Sequence, residues 1–257
     1  MTEQVINYSI NDTIAEIILD RPDHYNAFNS KLREELVQVI DKLEKLSGIR
    51  IVILRGAGPG FTSGADLNEG FPPPISRHLQ IDYKPIFDRI IGSKKLYMAC
   101  VHGSAAGIGA ALAMTCDLLI MGEKAKISII FTNLGLIPDG GATWLLQQAL
   151  GYRRTFQIIA EGGHISSQEC FLNGLANKVV RESELLTETQ KWAEELANRA
   201  PLAVSAAKRL LRLGIGQTQE QAFLSEAEEQ DALSISEDFH NARKAFLAKE
   251  KVVFKGK

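Results

Sequence analysis

Apolar positions first mark a pair of strands. Residues 5–9 and 14–19 are rich in alternating or β-branched apolar residues and flank Asn11-Asp12, a hairpin turn signal. Arg21-Pro22-Asp23 ends that unit. Leu32, Leu36, Val39, Ile40 and Leu43 then recur at helical spacing, which predicts a helix capped by Asn29 or Ser30 and running to Leu46, where Ser47-Gly48 stops it. Residues 49–54 form a β-branched run interrupted only by Arg50 and ending on Leu54, the pattern of a strand covered on both faces. A glycine-rich loop follows over 56–70, and Phe71-Pro72-Pro73-Pro74 and the positions up to Gln80 predict irregular structure. A helix over 81–91, a strand over 96–101, a second glycine-rich loop and helix over 103–116 and a strand over 117–121 complete the first half. Strands alternating with helices argue for an α/β fold with a mostly parallel sheet.

The second half changes character. Helical spacing dominates from Thr143 to Lys249, with helices over about 144–151, 153–161, 166–173, 184–199, 201–212, 217–234 and 236–249 and one short strand at 178–180. Pro201 starts a helix that Gly214 and Gly216 end. The helix over 217–234 is acidic on one side (Glu220, Glu226, Glu228, Glu229, Asp231), the mark of a solvated face. The expected division is a core over 1–200, holding the active site, and a helical region over 201–257.

Composition excludes several classes. The chain has 257 residues, 45% hydrophobic and 23% charged, with a formal net charge of -2. These are ordinary values for a globular protein, and no stripe of Lys and Arg suggests a nucleic-acid partner. Cys100, Cys116 and Cys170 are widely spaced and odd in number, so they read as reduced core residues rather than a disulfide frame or zinc site. Met1-Thr2-Glu3-Gln4 carries neither a basic region nor an apolar signal core. The richest apolar run, 108–121, is broken by Thr115 and Asp117 and is shorter than a membrane span. A cytoplasmic protein without membrane contact is expected.

Three features carry chemistry. Gly56-Ala57-Gly58-Pro59-Gly60-Phe61-Thr62-Ser63-Gly64-Ala65-Asp66-Leu67 follows a buried strand. Val101-His102-Gly103-Ser104-Ala105-Ala106-Gly107-Ile108-Gly109 also follows a strand and opens a helix. Gly135-Leu136-Ile137-Pro138-Asp139-Gly140-Gly141 sets one carboxylate among apolar residues on a turn. Small residues allow close backbone approach to a ligand, and two backbone N–H groups aimed at one oxygen make an oxyanion hole. An apolar setting raises the pKa of a carboxyl group and makes it a stronger base once ionised. Asp139 reads either as such a base or as a helix N-cap. The first loop breaks Gly-x-Gly-x-x-Gly at its last position, and neither a phosphate-binding Gly-x-x-x-x-Gly-Lys-Ser/Thr nor a Gly-x-Ser-x-Gly elbow occurs. His24, His78, His102, His164 and His240 show no metal-ligand spacing, and no metal is expected.

The order of these motifs resembles the crotonase, or enoyl-CoA hydratase/isomerase, superfamily over essentially the whole chain. The matching pieces are Leu19 to Asp23 with Asn26-Ala27-Phe28-Asn29, then Phe61 to Leu67, Val101 to Gly109, Cys116-Asp117, Gly135 to Gly141 and Phe254-Lys255-Gly256-Lys257. The resemblance implies a spiral of ββα units with an all-helical C-terminal region, a homotrimer or homohexamer, acyl-CoA thioester substrates, and no cofactor beyond the coenzyme A of the substrate. By position, the oxyanion hole is the backbone N–H groups of Ala65 and Ile108; family members usually carry Gly or Ala where Ile108 stands. Coenzyme A is implied to lie along Ser63, Ala65, Asp66 and Leu67 and near the loop with Asp23, His24, Tyr25 and Ala27. Lys257 matches a terminal lysine that reaches a CoA phosphate, or else is a solvated tail.

Within the superfamily, hydratases resemble one another in two glutamates, and here those positions are Ala111 and Phe131. Water addition needs an activated water and a proton donor, so an efficient hydratase is disfavoured. Asp139 instead matches the acid of the double-bond isomerases, the Δ3,Δ2-enoyl-CoA isomerases and the epoxyphenylacetyl-CoA isomerase of aromatic degradation. The expected reaction is 3-enoyl-CoA to 2-enoyl-CoA with Asp139 as the single acid/base. The alternatives are a hydratase or other crotonase chemistry, among them a dehalogenase with Asp139 as nucleophile and His78 nearby, and a catalytically silent acyl-CoA-binding protein.

Overall fold

The structure is a computed structural model that describes residues 4–70 and 73–257. The readings of residues 1–3 and of Phe71-Pro72 lie outside the described residues. Among these, nine strands form two sheets. The larger sheet comprises β1 (Ile6–Asn11), β2 (Ile14–Leu19), β3 (Ile51–Gly56), β4 (Leu96–Val101), β6 (Leu118–Gly122) and β9 (Lys178–Val180), in that spatial order. β1 and β2 are the antiparallel hairpin, and every later pairing is parallel, with Ile51 opposite both Ile14 and Leu96.

The smaller sheet contains β5 (Ser104–Ala106), β7 (Lys126–Ser128) and β8 (His164–Ser166). The sequence reading missed these strands because three residues carry no readable alternation. Together the sheets make the expected spiral of ββα units. β4 in the large sheet leads to β5 in the small one and on to a helix, and β6 leads likewise to β7. Isolated bridges join Phe28 to Ala65 and Thr62 to Ala105, so the loop after β3 runs alongside the same layer.

The β-branched run of β3 is apolar on both sides because it is packed on both. Val52 and Leu54 join a core with α1 (Ser30–Glu44), α3 (Lys84–Gly92), α4 (Ile108–Thr115) and α5 (Ala142–Glu161). Ile51 and Ile53 join a second core with Met98, Cys100 and Ile120 against α7 (Leu185–Ala197). All three cysteines are buried and free. Asn29 caps α1 by accepting from Leu32 N.

Two stretches differ from expectation. Residues 75–80 are not irregular: α2 (Ile75–His78) leads through a π-turn (Leu79–Tyr83) directly into α3. Pro85 has no N–H to offer, and the ladder before it widens, with Lys84 N donating to Leu79 O. The helices expected at 144–151 and 153–161 are the two limbs of α5, which kinks at Gly151 (φ 70°, ψ 169°), a conformation glycine adopts without a Cβ penalty.

After α6 (Ser167–Leu172) and α7, the chain continues through α8 (Pro201–Gly214), α9 (Gln219–Ser234) and α10 (Glu237–Ala248). A buried ion cluster anchors α8. Lys208 Nζ donates to Ile90 O (2.9 Å), Lys95 O (2.8 Å) and Asp117 Oδ2 (2.8 Å), and Arg212 donates to Thr115 O (2.8 Å) and Asp117 Oδ1 (2.6 Å). Burial pulls the Lys208 pKa down, and the Asp117 charge restores it only in part. On the acidic side of α9, Glu220, Glu226, Glu228 and Asp231 are exposed as expected, whereas Glu229 is half-buried and pairs with Arg209 of α8; α9 buries no residue at all, and Phe223 and Leu224 are exposed.

Candidate active site

The loops are positioned by backbone pairing and one buried amide. Asn26, fully buried and left-handed (φ 55°), donates from Nδ2 to Ala57 O (2.8 Å), Gly60 O (2.9 Å) and Phe61 O (3.2 Å). Its side-chain oxygen accepts from Arg21 N at 2.8 Å and its carbonyl from Thr62 Oγ1 at 2.7 Å. This one residue fixes the course of the first glycine loop. Phe28 N donates to Gly64 O (2.7 Å) and Asp66 N to Phe28 O (3.1 Å), which brackets Ala65. Thr62 N donates to Ser104 O and Ala106 N to Thr62 O, joining the first loop to the second. Gly64 must be glycine: it sits at φ 92°, and a Cβ there would lie 2.7 Å from Ala106 O.

Ala65 N and Ile108 N donate to no other group of the described residues. In the bridge to Phe28 it is the flanking Gly64 carbonyl and Asp66 amide that pair, and Ile108 is the first residue of α4, where N–H groups lack intrahelical acceptors.

Both residues line one cavity of about 120 Å³ with Asp139. Ser63, Leu67, Gly107, Ile130, Phe131, Leu134 and Leu136 complete one side, and Ile75, His78, Leu79 and Tyr83 supply a helical wall. Among the described residues Asp139 is the one carboxylate in that lining. Its Oδ1 is buried without a hydrogen-bond partner. Burial pushes its pKa up to about 6, and a bond from its own backbone N–H offsets only part of that. A carboxylate in this condition is poised to accept a proton near neutral pH.

The N-cap reading of Asp139 does not hold. Gly141 occupies the N-cap of α5, and no side chain caps it. Asp139 contributes only its carbonyl, which accepts from Ala142 N at 3.0 Å. Gly140 and Gly141 are both left-handed (φ 60° and 85°), and the Asp139 side chain caps none of the helix amides. The turn also backs onto α4: a Cβ on Gly140 would lie 2.8 Å from Ala111 Cβ and 3.3 Å from Ile108 Cγ1. The fully buried Ala111 is thus a packing surface for the Asp139 turn, and Phe131 lines the cavity as an apolar wall.

The other sequence-derived residues divide. Asp23, His24 and Tyr25 are exposed on the short turn after β2, and Tyr25 O accepts from Ser63 N at 2.9 Å, which holds this turn beside the first loop. Ala27 is buried, and its carbonyl accepts from Arg21 Nη1 at 2.5 Å. The Asp66 carboxylate is directed inward. Burial raises its pKa, but hydrogen bonds from Arg21 (3.0 Å) and Asn68 (3.1 Å) outweigh that and hold it below the usual carboxylate range. Lys257 is exposed and lines a separate cavity with Arg50, Lys94 and Arg209. Within this chain it does not meet Asp139.

Sequence reasoning missed Tyr83. Its hydroxyl donates to Phe28 O (3.5 Å) and accepts from Arg33 Nη1 (3.3 Å), and the Arg33 guanidinium lies 4.9 Å from the ring centroid. Burial pushes the phenol up to about 12, so it stays protonated. The available signal was Pro85, which interrupts the helix ladder where Tyr83 turns inward. Among the described residues no group of three or more His, Cys, Asp or Glu could hold a metal ion.

A family model described as enoyl-CoA hydratase/isomerase matches residues 9–257. The 1,2-epoxyphenylacetyl-CoA isomerase of Escherichia coli K12 is 30% identical over 263 residues, covering 100% of both chains. The short-chain-enoyl-CoA hydratase of Clostridium acetobutylicum is 32% identical over 242 residues, 93% of each chain. Among solved structures, the enoyl-CoA hydratase of Bacillus anthracis superposes with a TM-score of 0.91 at 27% identity, over 99% of this chain and 100% of that one. The chain, with its two stitched loops and its carboxylate turn, belongs to the enoyl-CoA hydratase/isomerase family.

Proposed function

We propose that this enzyme moves a double bond in an acyl-CoA thioester, converting a 3-enoyl-CoA to a 2-enoyl-CoA, with Asp139 as the single acid/base. The observation that carries this reading is the buried, unpartnered Asp139 Oδ1 in a cavity with no second carboxylate among the described residues. Asp139 removes a proton from C2. The thioester oxygen becomes an enolate oxygen that accepts hydrogen bonds from Ala65 N and Ile108 N, each donor contributing roughly 3–4 kcal/mol of transition-state stabilisation. Asp139 then returns the proton to C4. Water addition asks for two acid/base groups, and Ala111 and Phe131 supply neither. The names of the relatives include both isomerases and hydratases, so the reading rests on the residues of this chain.

Coenzyme A is proposed to lie along Ser63, Leu67 and the backbone of Ala65 and Asp66, beside Asp23, His24, Tyr25 and Ala27, and the reaction takes no other cofactor. Lys257 is proposed to reach a CoA phosphate of another copy in a trimer or hexamer. Exposed apolar side chains such as Tyr152, Phe156, Phe223 and Phe246 suit burial between copies.

Paired assays test the reaction. The enzyme is expected to convert 3-hexenoyl-CoA and to leave 2-hexenoyl-CoA unhydrated; rapid hydration of the second would overturn the assignment. The pH dependence is a further check. A base must be ionised, and Asp139 titrates at about 6. kcat/KM should therefore rise about tenfold per pH unit below that value and level off above it. A profile that stays flat from pH 5 to 7 would remove Asp139 as the base.

A further inference from the structure

Two arginines hold the segment that carries the Ala65 amide, and they do so alike. Arg21 Nη1 donates to Ala27 O (2.5 Å) and to Asp66 Oδ2 (3.0 Å). Arg33, in the first turn of α1, donates through Nη1 to Phe28 O (2.9 Å) and through Nη2 to Glu69 Oε2 (3.2 Å). Each guanidinium thus joins one of two consecutive carbonyls to an acid that follows Ala65. Glu69 ends a short 3₁₀ turn (Leu67–Glu69), and its other oxygen accepts from Ser30 N (2.7 Å) and Ser30 Oγ (2.9 Å) at the start of α1. The centre of the arrangement is the Phe28 carbonyl. It accepts from Asp66 N (3.1 Å), Arg33 Nη1 and Tyr83 Oη (3.5 Å). The first glycine loop, α1 and the helical wall of the cavity therefore meet at one oxygen.

Phe28 also sets the direction of the Ala65 amide. Gly64 O and the Ala65 N–H belong to one planar trans peptide and point opposite ways. Phe28 N donates to Gly64 O (2.7 Å), so the Ala65 N–H faces away from Phe28. Arg33 is only 6% exposed. A buried ion pair adds little net stability, because desolvation offsets the attraction, and its better attested use is to select one geometry. A planar fork that satisfies a carbonyl and a carboxylate together has one orientation, which neither lysine nor an apolar side chain reproduces. We infer that Arg33 is a positioning residue for the oxyanion hole: its fork to Phe28 and Glu69 holds the Ala65 amide in the direction that receives the thioester oxygen. This rests on the proposed role of Ala65 N.

Infrared difference spectra of bound hexanoyl-CoA, carrying carbon-13 at the thioester carbonyl, read that direction without turnover. A carbonyl that accepts strong hydrogen bonds stretches at lower frequency, so the wild type should lower the frequency relative to the free ester. Arg33→Met fills similar space without a donor and should lose most of that shift. Its kcat with 3-hexenoyl-CoA should fall about ten- to a hundredfold, since a donor is displaced rather than deleted. KM should change by less than about threefold, because the amide matters more to the enolate than to the ground state. Arg33→Lys keeps the charge without the fork and should lose part of the shift; it decides alone if Arg33→Met does not fold. Arg89→Met is the control. It breaks a comparable ion pair, from α3 to Asp41 of α1 (2.6 and 3.0 Å), and should leave the shift and kcat unchanged. An intact shift in the Arg33 variants, or an equal loss in Arg89→Met, would overturn the inference. A wild-type shift that Arg33→Met removes, without turnover of 3-hexenoyl-CoA, would reject the isomerase reaction and uphold the role of Arg33. No binding or no shift in the wild type would reject Ala65 as the oxyanion donor and this inference with it.

Discussion

Asp139→Asn should lower the isomerisation rate by about 10²–10⁴-fold, the usual contribution of a positioned acid/base group, while binding of an acyl-CoA persists. The amide keeps the shape of the side chain and loses only its basicity. The same substitution should stabilise the fold at alkaline pH. The Asp139 pKa is raised from 3.8 to about 6, so between these values the folded protein binds more protons than the unfolded chain. Stability associated with this group is therefore full below about pH 4, falls as pH rises towards 6, and stays reduced above it. The shift corresponds to at most about 3 kcal/mol. Asp139→Asn should accordingly melt several degrees higher than the wild type at pH 8, with the gap closing at pH 4. Thermal unfolding at the two pH values, with turnover of 3-hexenoyl-CoA, measures both effects. Near-normal turnover would remove Asp139 from the mechanism, and equal destabilisation at both pH values would contradict the burial of its carboxylate with one oxygen unpartnered.

Asp117→Ala should cost about 3–5 kcal/mol of stability, the range for removing one member of a buried ion pair. Asp117 accepts from Tyr97 N, Lys208 and Arg212, and the Lys208 and Asp117 side chains are 8% and 12% exposed. Its removal leaves the Lys208 ammonium with carbonyl partners but no counter-charge. Adding Lys208→Met should recover a large part of the loss, because it removes the stranded charge. Denaturant unfolding of the single and double variants checks this; a loss below about 1 kcal/mol for Asp117→Ala would show that solvent already compensates the cluster. The Cys116-Asp117 motif therefore has a structural explanation: it clamps α8 to the end of the sheet.

Much of the molecule was legible because its signals are local. The β-branched run of β3, the helical spacing of α1 and the turn residues around Asn11-Asp12 each report burial or backbone geometry within a few positions. The glycine loops and the Asp139 turn were legible for the same reason, since left-handed backbone and close approach demand glycine at fixed places. The three-residue strands β5, β7 and β8 were not, because each takes its conformation from partners more than twenty residues away in the chain. Tyr83 was hidden likewise, since its inward direction depends on a π-turn and on Arg33, fifty residues before it.

The sequence by itself determined the chemistry on offer: one carboxylate in an apolar turn, two loops small enough to expose backbone amides, and no glutamate at Ala111 or Phe131. Tertiary structure decided the surroundings of that carboxylate. Two successive left-handed glycines lie between Asp139 and α5, whose amides its carboxylate does not cap, and Gly140 packs on Ala111 and Ile108 of the helix that the second loop opens. The result is a carboxyl oxygen without a partner in the same cavity as the Ala65 and Ile108 amides. Burial that its own backbone N–H offsets only in part is what raises its pKa, and burial arises only when distant segments of the chain pack together.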